Sequence, residues 1–203
     1  MTLSLDDAAV LRSGDPSLPL VVLLHGYGSD ERDLFALRSR LPEQFSYAAV
    51  RAPLTPPFPQ GGWSWYPIEG LASRDPAAVT AAAEALLAWL PEEAVGLVGF
   101  SQGGAVSLQA MRLAPERFDF VVNLSGYWAG GSLPGDAALA EAPVPVFWGR
   151  GADDAVVPAE AVTLTTLELP PHSALAGRVY PGLGHAVSDE ELADLAAFLR
   201  RQA

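Results

Sequence analysis

The sequence predicts a doubly wound α/β sandwich, a mostly parallel sheet with helices on both faces, built as one domain over residues 1–203. Two observations predict it. Short apolar runs recur along the chain without alternating polar residues, the pattern of strands buried on both faces of a parallel sheet. Segments with the spacing and punctuation of amphipathic helices lie between them, and repeated strand–helix units define this architecture. A chain of 203 residues, 50% hydrophobic and 18% charged, fits one core of this size.

Leu20–Leu24 is the first buried run and ends at His25-Gly26. A helix is expected over about Glu31–Arg40, then a strand at Ser46–Val50. The next helix is well punctuated: Asp75 can cap it, Pro76 sits at its first position, and Pro91 ends it. Val79, Ala82, Ala83, Leu86 and Leu90 share one of its faces. A strand at Val95–Phe100 and a helix at Gln102–Ala114 follow, then strands at Phe118–Leu124, Val144–Trp148 and Arg178–Tyr180. The last helix opens with a capping box, Ser188 with Glu191. Its apolar face is Leu192, Leu195, Ala196 and Leu199, and Arg200 and Arg201 suit the negative end of its dipole. Arg51–Arg74 is the one long irregular stretch, rich in proline and carrying Trp63, Trp65 and Tyr66; loops of that length in compact domains are usually functional.

A net charge of −12 opposes a nucleic-acid footprint, which needs clustered basic residues, and docking on anionic membranes. The chain has no cysteine, which excludes disulfides, thiolate metal sites and a thiol nucleophile. Met1–Val10 carries Asp6 and Asp7 where a secretory leader would be basic and apolar, so a cytoplasmic location is expected. Ala77–Leu90, the most apolar long window, is interrupted by Thr80 and Glu84, and no stable membrane insertion is expected.

Gly99-Phe100-Ser101-Gln102-Gly103 spells G-x-S-x-G between a predicted strand and a predicted helix. That context places the serine on a sharp turn, clear of the sheet and above a helix N-terminus, as a nucleophile requires. Ser125 is the rival, since it also ends a strand and precedes a glycine. A serine needs a base, and the base needs an anion to orient it. Of three histidines, His25 borders a glycine-rich turn and reads as a loop brace, and His172 follows two prolines. His185 lies on the loop after the last strand, where the α/β-hydrolase arrangement puts its base. Asp153 or Asp154, after strand Val144–Trp148, completes the order nucleophile, acid, histidine; the two are adjacent, one must point away, and Asp154 is preferred. This order makes the expected fold an α/β hydrolase, and 203 residues are expected to leave no room for a large lid. Two backbone N–H donors must meet the oxyanion, one from Gln102 and one assigned to Tyr27 in His25-Gly26-Tyr27-Gly28. The dispersed histidines lack any H-x-x-x-H spacing, so neither metal nor cofactor is expected.

The segments Leu24-His25-Gly26-Tyr27-Gly28, Gly99–Ala105, Leu124-Ser125-Gly126, Gly151–Pro158 and Gly184-His185 together resemble the phospholipase/carboxylesterase family of α/β hydrolases, which includes the acyl-protein thioesterases. The resemblance implies Ser101 as nucleophile, Asp154 rather than Asp153 as acid, His185 as base, and the N–H groups of Tyr27 and Gln102 as oxyanion donors. Arg150 stands where the family often has a histidine. Trp63 resembles the family's aromatic segment beside the site.

The expected activity is hydrolysis of short- to medium-chain acyl esters through an acyl-enzyme, the partner being a small-molecule ester. Acyl-protein thioesterase, lysophospholipase and a non-catalytic binding protein are the alternatives. Trp63, Trp65, Tyr127 and Trp128 are expected to wall the substrate pocket. For Tyr127 and Trp128 the alternative is an exposed patch serving a homodimer.

Overall fold

A computed structural model of the protein describes residues 3–57, 59–68, 75–92 and 94–202. Its centre is one seven-stranded sheet. The strands are β1 (Leu11–Ser13), β2 (Leu20–Leu24), β3 (Ser46–Val50), β4 (Ala94–Phe100), β5 (Phe120–Leu124), β6 (Val144–Gly151) and β7 (Ser173–Tyr180), in the spatial order β1-β3-β2-β4-β5-β6-β7. β1 runs antiparallel to β3, and every other pairing is parallel. The helices are α1 (Glu31–Phe35), α2 (Pro76–Trp89), α3 (Gln102–Leu113), α4 (Asp136–Glu141), α5 (Ala159–Glu168) and α6 (Asp189–Leu199).

Alternate residues of the strands feed two separate cores, because successive side chains in a strand point to opposite faces. Val22, Leu24, Leu97 and Val121 join Val79, Ala82, Leu86, Ala105, Leu108 and Met111 of α2 and α3 on one face. Val21, Leu23, Val98 and Val122 join Leu34 of α1 and Leu192, Leu195, Phe198 and Leu199 of α6 on the other. Burial on both faces is why β2 reads as an unbroken apolar run.

The chain leaves β2, adds β3 on one side, then crosses to add β4 on the other, so the strand order reverses between β2 and β4. In open α/β sheets the crevice at that reversal, beyond the carboxyl ends of the strands, is where ligands bind. Residues 25–29 and Ser101 leave the sheet there.

Several elements differ from expectation. The predicted helix Glu31–Arg40 is α for five residues and continues as a 3-10 turn, Ala36–Arg40. β6 runs on through Gly151, and β7 begins at Ser173 rather than Arg178. β1, α4 and α5 lacked a legible pattern. Asp75 caps α2 as expected, accepting from Ala77 N–H at 3.0 Å. The Ser188 arm of the predicted capping box forms, with Ser188 Oγ accepting from Glu191 N–H at 3.1 Å, and the Glu191 carboxylate is turned back toward the Ser188 backbone N–H without completing a full hydrogen bond. It is fully buried and sits over Gly149 of β6. Within the predicted loop Arg51–Arg74, residues 58 and 69–74 lie outside the described residues; the remainder is tied down by bridges of Ser29 with Trp63 and Leu54 with Ser64. Among the described residues no helix is long and apolar enough to cross a membrane.

Candidate active site

Ser101 occupies the single residue between β4 and α3, with φ 54° and ψ −114°. A side-chain-bearing residue pays strain of about 1–3 kcal/mol in this region of the backbone, and it persists only where its surroundings over-determine it. Here they do. Ser101 N–H donates to Leu124 O at 2.7 Å, and its carbonyl accepts from Ala105 N–H at 3.1 Å. The flanking glycines are required by proximity: a Cβ on Gly103 would lie 2.1 Å from Leu24 O, and one on Gly99 2.3 Å from Gly103 O. The first turn of α3 can therefore press against β2 and β4, lifting the Ser101 hydroxyl out of the sheet.

His185 Nε2 stands 2.8 Å from Ser101 Oγ, and its Nδ1 stands 2.7 Å from Asp154 Oδ2. A carboxylate only accepts, so Nδ1 carries the proton and Nε2 is left to accept from the serine hydroxyl. The second oxygen, Asp154 Oδ1, accepts from Val156 N–H at 2.9 Å and Val157 N–H at 3.2 Å. Burial pushes the Asp154 carboxyl upward, but the hydrogen bonds from His185, Val156 and Val157 outweigh it and hold it below the ordinary carboxylate range. Asp153 points into solvent. Phe100 packs against the His185 ring with centroids 4.9 Å apart.

Ser125 shares the left-handed backbone, at φ 51°. It is only 2% exposed, however, and its Oγ meets no hydrogen-bond partner among the described residues. Among the described residues no base is hydrogen-bonded to it.

Gly26 and Tyr27 run directly past the serine: a Cβ on Gly26 would stand 3.4 Å from Ser101 Cβ. Gln102 is the first residue of α3, so its N–H belongs to the helix donors that have no acceptor within the helix. Tyr27 and Gln102 both line the cavity in front of Ser101. His25 is buried and braces this turn, with Nδ1–H donating to Gly26 O at 2.7 Å and Nε2 accepting from Ala52 N–H at 3.1 Å. Burial lowers its pKa, which favours the neutral ring that this pattern needs.

The cavity has a volume of about 280 Å³. Its walls are Tyr66, Ile68, Phe100, Tyr127 and Val156, with Ser29 and Asp33 on the side of the Tyr27 turn. The Tyr66 and Tyr127 hydroxyls are hydrogen-bonded to each other. Three of the four expected wall residues lie elsewhere. Trp65 is fully buried, with Nε1–H donating to His25 O at 2.9 Å. Trp63 lies under the Arg51 guanidinium, 4.9 Å from the ring centroid. Trp128 packs against the Arg112 guanidinium, 4.0 Å from its ring centroid, and against the His172 ring, with centroids 5.2 Å apart. Tyr66 and Tyr127 thus line the cavity, whereas their chain neighbours Trp65 and Trp128 are held in the surrounding packing. Tyr127 and Trp128, 4% and 3% exposed, form no exposed patch for a partner. Sequence reasoning missed Tyr66, Ile68, Phe100 and Val156 as walls.

The constellation can activate a hydroxyl, hold the resulting imidazolium beside an anion, and offer backbone donors to an oxyanion. Comparison with known proteins agrees with this chemistry. Residues 5–203 match the family model described as Phospholipase/Carboxylesterase. A probable carboxylesterase of Oryza sativa subsp. japonica is 35% identical over 117 residues, covering 55% of this chain and 42% of that protein. Acyl-protein thioesterase 1 of Gibberella zeae is 37% identical over 120 residues, covering 56% of this chain and 49% of that protein. The matched stretch thus spans less than half the length of each of these two relatives. The crystal structure of esterase PE8 superposes with a TM-score of 0.77 at 28% identity, covering 100% of both chains. With residues 5–203 of its 203 matched by the family model, the chain belongs to the phospholipase/carboxylesterase family of α/β hydrolases.

Proposed function

We propose that the protein hydrolyses short- to medium-chain acyl esters through an acyl-enzyme on Ser101. The observation that carries this reading is the continuous hydrogen-bonded path from Asp154 through His185 to Ser101, 2.7 and 2.8 Å in its two links, opening on the cavity. His185 Nε2 takes the hydroxyl proton as Ser101 Oγ attacks the ester carbonyl, and the Tyr27 and Gln102 N–H groups stabilise the negative charge that forms on the carbonyl oxygen. Collapse breaks the bond to the alcohol oxygen, which leaves with the proton from His185. Water then attacks the acyl-enzyme, again giving its proton to His185, and Ser101 is regenerated as the acid departs.

The cavity supports a small substrate, since about 280 Å³ is at the low end for small-ligand sites. Asp33 is on its wall and no arginine is among the described lining residues, which favours neutral esters over acyl groups attached to an anionic carrier. p-Nitrophenyl esters from acetate to palmitate, assayed beside an acyl thioester and a lysophospholipid, test the reading. The expected kcat/KM maximum lies at eight carbons or fewer. A maximum at palmitate or on the thioester would move the assignment to an acyl-protein thioesterase, and one on the lysophospholipid to a lysophospholipase. Absence of turnover together with absence of fluorophosphonate labelling would leave a binding protein.

A further inference from the structure

The Gln102 side chain is buried, 2% exposed, and its polar atoms are engaged by residues 64–66. Its Oε1 accepts from Trp65 N–H at 2.8 Å and its Nε2–H donates to Tyr66 O at 2.7 Å. The same short segment is bonded to the turn that carries Tyr27: Trp63 N–H donates to Ser29 O and Gly28 N–H donates to Trp63 O, both at 2.8 Å, and Trp65 Nε1–H donates to His25 O at 2.9 Å. Residues 63–66 therefore form a strap. One end is clasped by the residue after the nucleophile, and the other is laid along the glycine-containing turn at the end of β2.

An oxyanion hole made from two loops works only if both donors are held at the spacing of one oxygen atom before the charge develops. Gly28, at φ 74°, gives its turn freedom that some other contact must remove. The strap spans the two loops that supply the proposed donors. We propose that the Gln102 carboxamide is a positioning residue which, through Trp65 and Trp63, sets the distance between the Tyr27 and Gln102 N–H groups. Gln102 thus has two separable roles, with its backbone facing the oxyanion and its side chain fixing the opposite donor. This inference rests on the esterase reading of Ser101.

Gln102→Met and Gln102→Glu test it, because both keep the backbone N–H. Met removes both clasp bonds, and Glu keeps an acceptor for Trp65 N–H while placing an oxygen against Tyr66 O. Each variant should lose about ten- to a hundredfold in kcat on p-nitrophenyl acetate, the scale expected when a catalytic group shifts by up to an ångström, with KM within about a factor of three, as for a contact made only in the transition state. Inhibition by a trifluoromethyl ketone, whose adduct carries an oxyanion, should weaken in step with kcat/KM. Should both variants fail to fold by near-ultraviolet circular dichroism, Trp65→Phe removes only the Nε1 donor to His25 O from the hydrogen-bond set and should show a smaller loss confined to kcat. Unchanged kcat in the folded variants, or a rise in KM alone, would overturn the proposal while leaving the esterase reading intact. Failure of a fluorophosphonate to label wild-type Ser101 would overturn both.

Discussion

Asp154 and His185, 31 residues apart in the chain, meet at 2.7 Å because the backbones beside them are stitched together. Asp153 N–H donates to Leu183 O and Ala152 N–H to Tyr180 O, each at 2.9 Å. The crossing is close enough that a Cβ on Gly151 would lie 2.0 Å from Leu183 O. Asp154 and His185 are thus presented by one braced pair of loops, and the adjacent Asp153 contributes through its backbone while its side chain is exposed.

The two aspartates should therefore separate cleanly on mutation. Asp154→Asn keeps the shape but removes the anion that orients His185, and kcat should fall by about four orders of magnitude. Asp153→Asn keeps the N–H that donates to Leu183 and should stay within a few-fold of wild type. Steady-state kinetics on p-nitrophenyl acetate, with circular dichroism to establish the fold, decides it; comparable losses in both variants would contradict the assignment.

Glu191 gives the protein a pH-dependent weakness away from the site. Its carboxylate is completely buried, and burial, opposed only by a weaker contact with the Ser188 backbone N–H, pushes its pKa up to about 7. In the unfolded chain a glutamate titrates near about 4.3. Between those values the folded protein holds a proton that the unfolded chain has released, so stability falls with rising pH by up to about 1.4 kcal/mol per unit. The contribution is complete below about pH 4.3 and lost above about 7. Glu191→Gln should match wild type in Tm near pH 4.5 and exceed it at pH 8. An equal Tm difference at both values would mean that Glu191 is charged throughout.

These two cases show what the sequence can and cannot carry. Leu20–Leu24 and Ser46–Val50 were legible to the residue because strands buried on both faces leave no polar interruption. β7 was legible only at its end, since Ser173–Tyr180 is a sheet edge with mostly exposed or half-exposed residues and a glycine. β1 has three residues and borrows its conformation from β3. α5 lacks a distinct apolar stripe: Thr165 is its one buried residue. Ser101, Asp154 and His185 could be picked out because each follows a strand in a fixed order. The Glu191 carboxylate and the Gln102 carboxamide could not, because their surroundings come from segments far away in the chain. The tryptophans were misplaced because an aromatic residue type does not reveal whether its ring faces a cavity or the core.

The cavity walls make the last prediction. Ile68 lines the cavity, whereas Trp65, next to Tyr66 in the chain, is wholly enclosed, although both look like apolar anchors in sequence. Ile68→Ala should leave acetate hydrolysis nearly unchanged and lower kcat/KM on hexanoate and octanoate by about tenfold, since a longer acyl chain loses apolar contact worth about 1.4 kcal/mol. Trp65→Ala should behave differently. It opens a void in the core and strands the carbonyl of His25, costing about 3–5 kcal/mol of stability, and activity should fall on every chain length alike. Tm and the chain-length profile, measured together on both variants, distinguish wall from core. A chain-length-selective loss in Trp65→Ala at unchanged Tm would restore the tryptophan to the pocket, and a uniform loss in Ile68→Ala would remove the isoleucine from it.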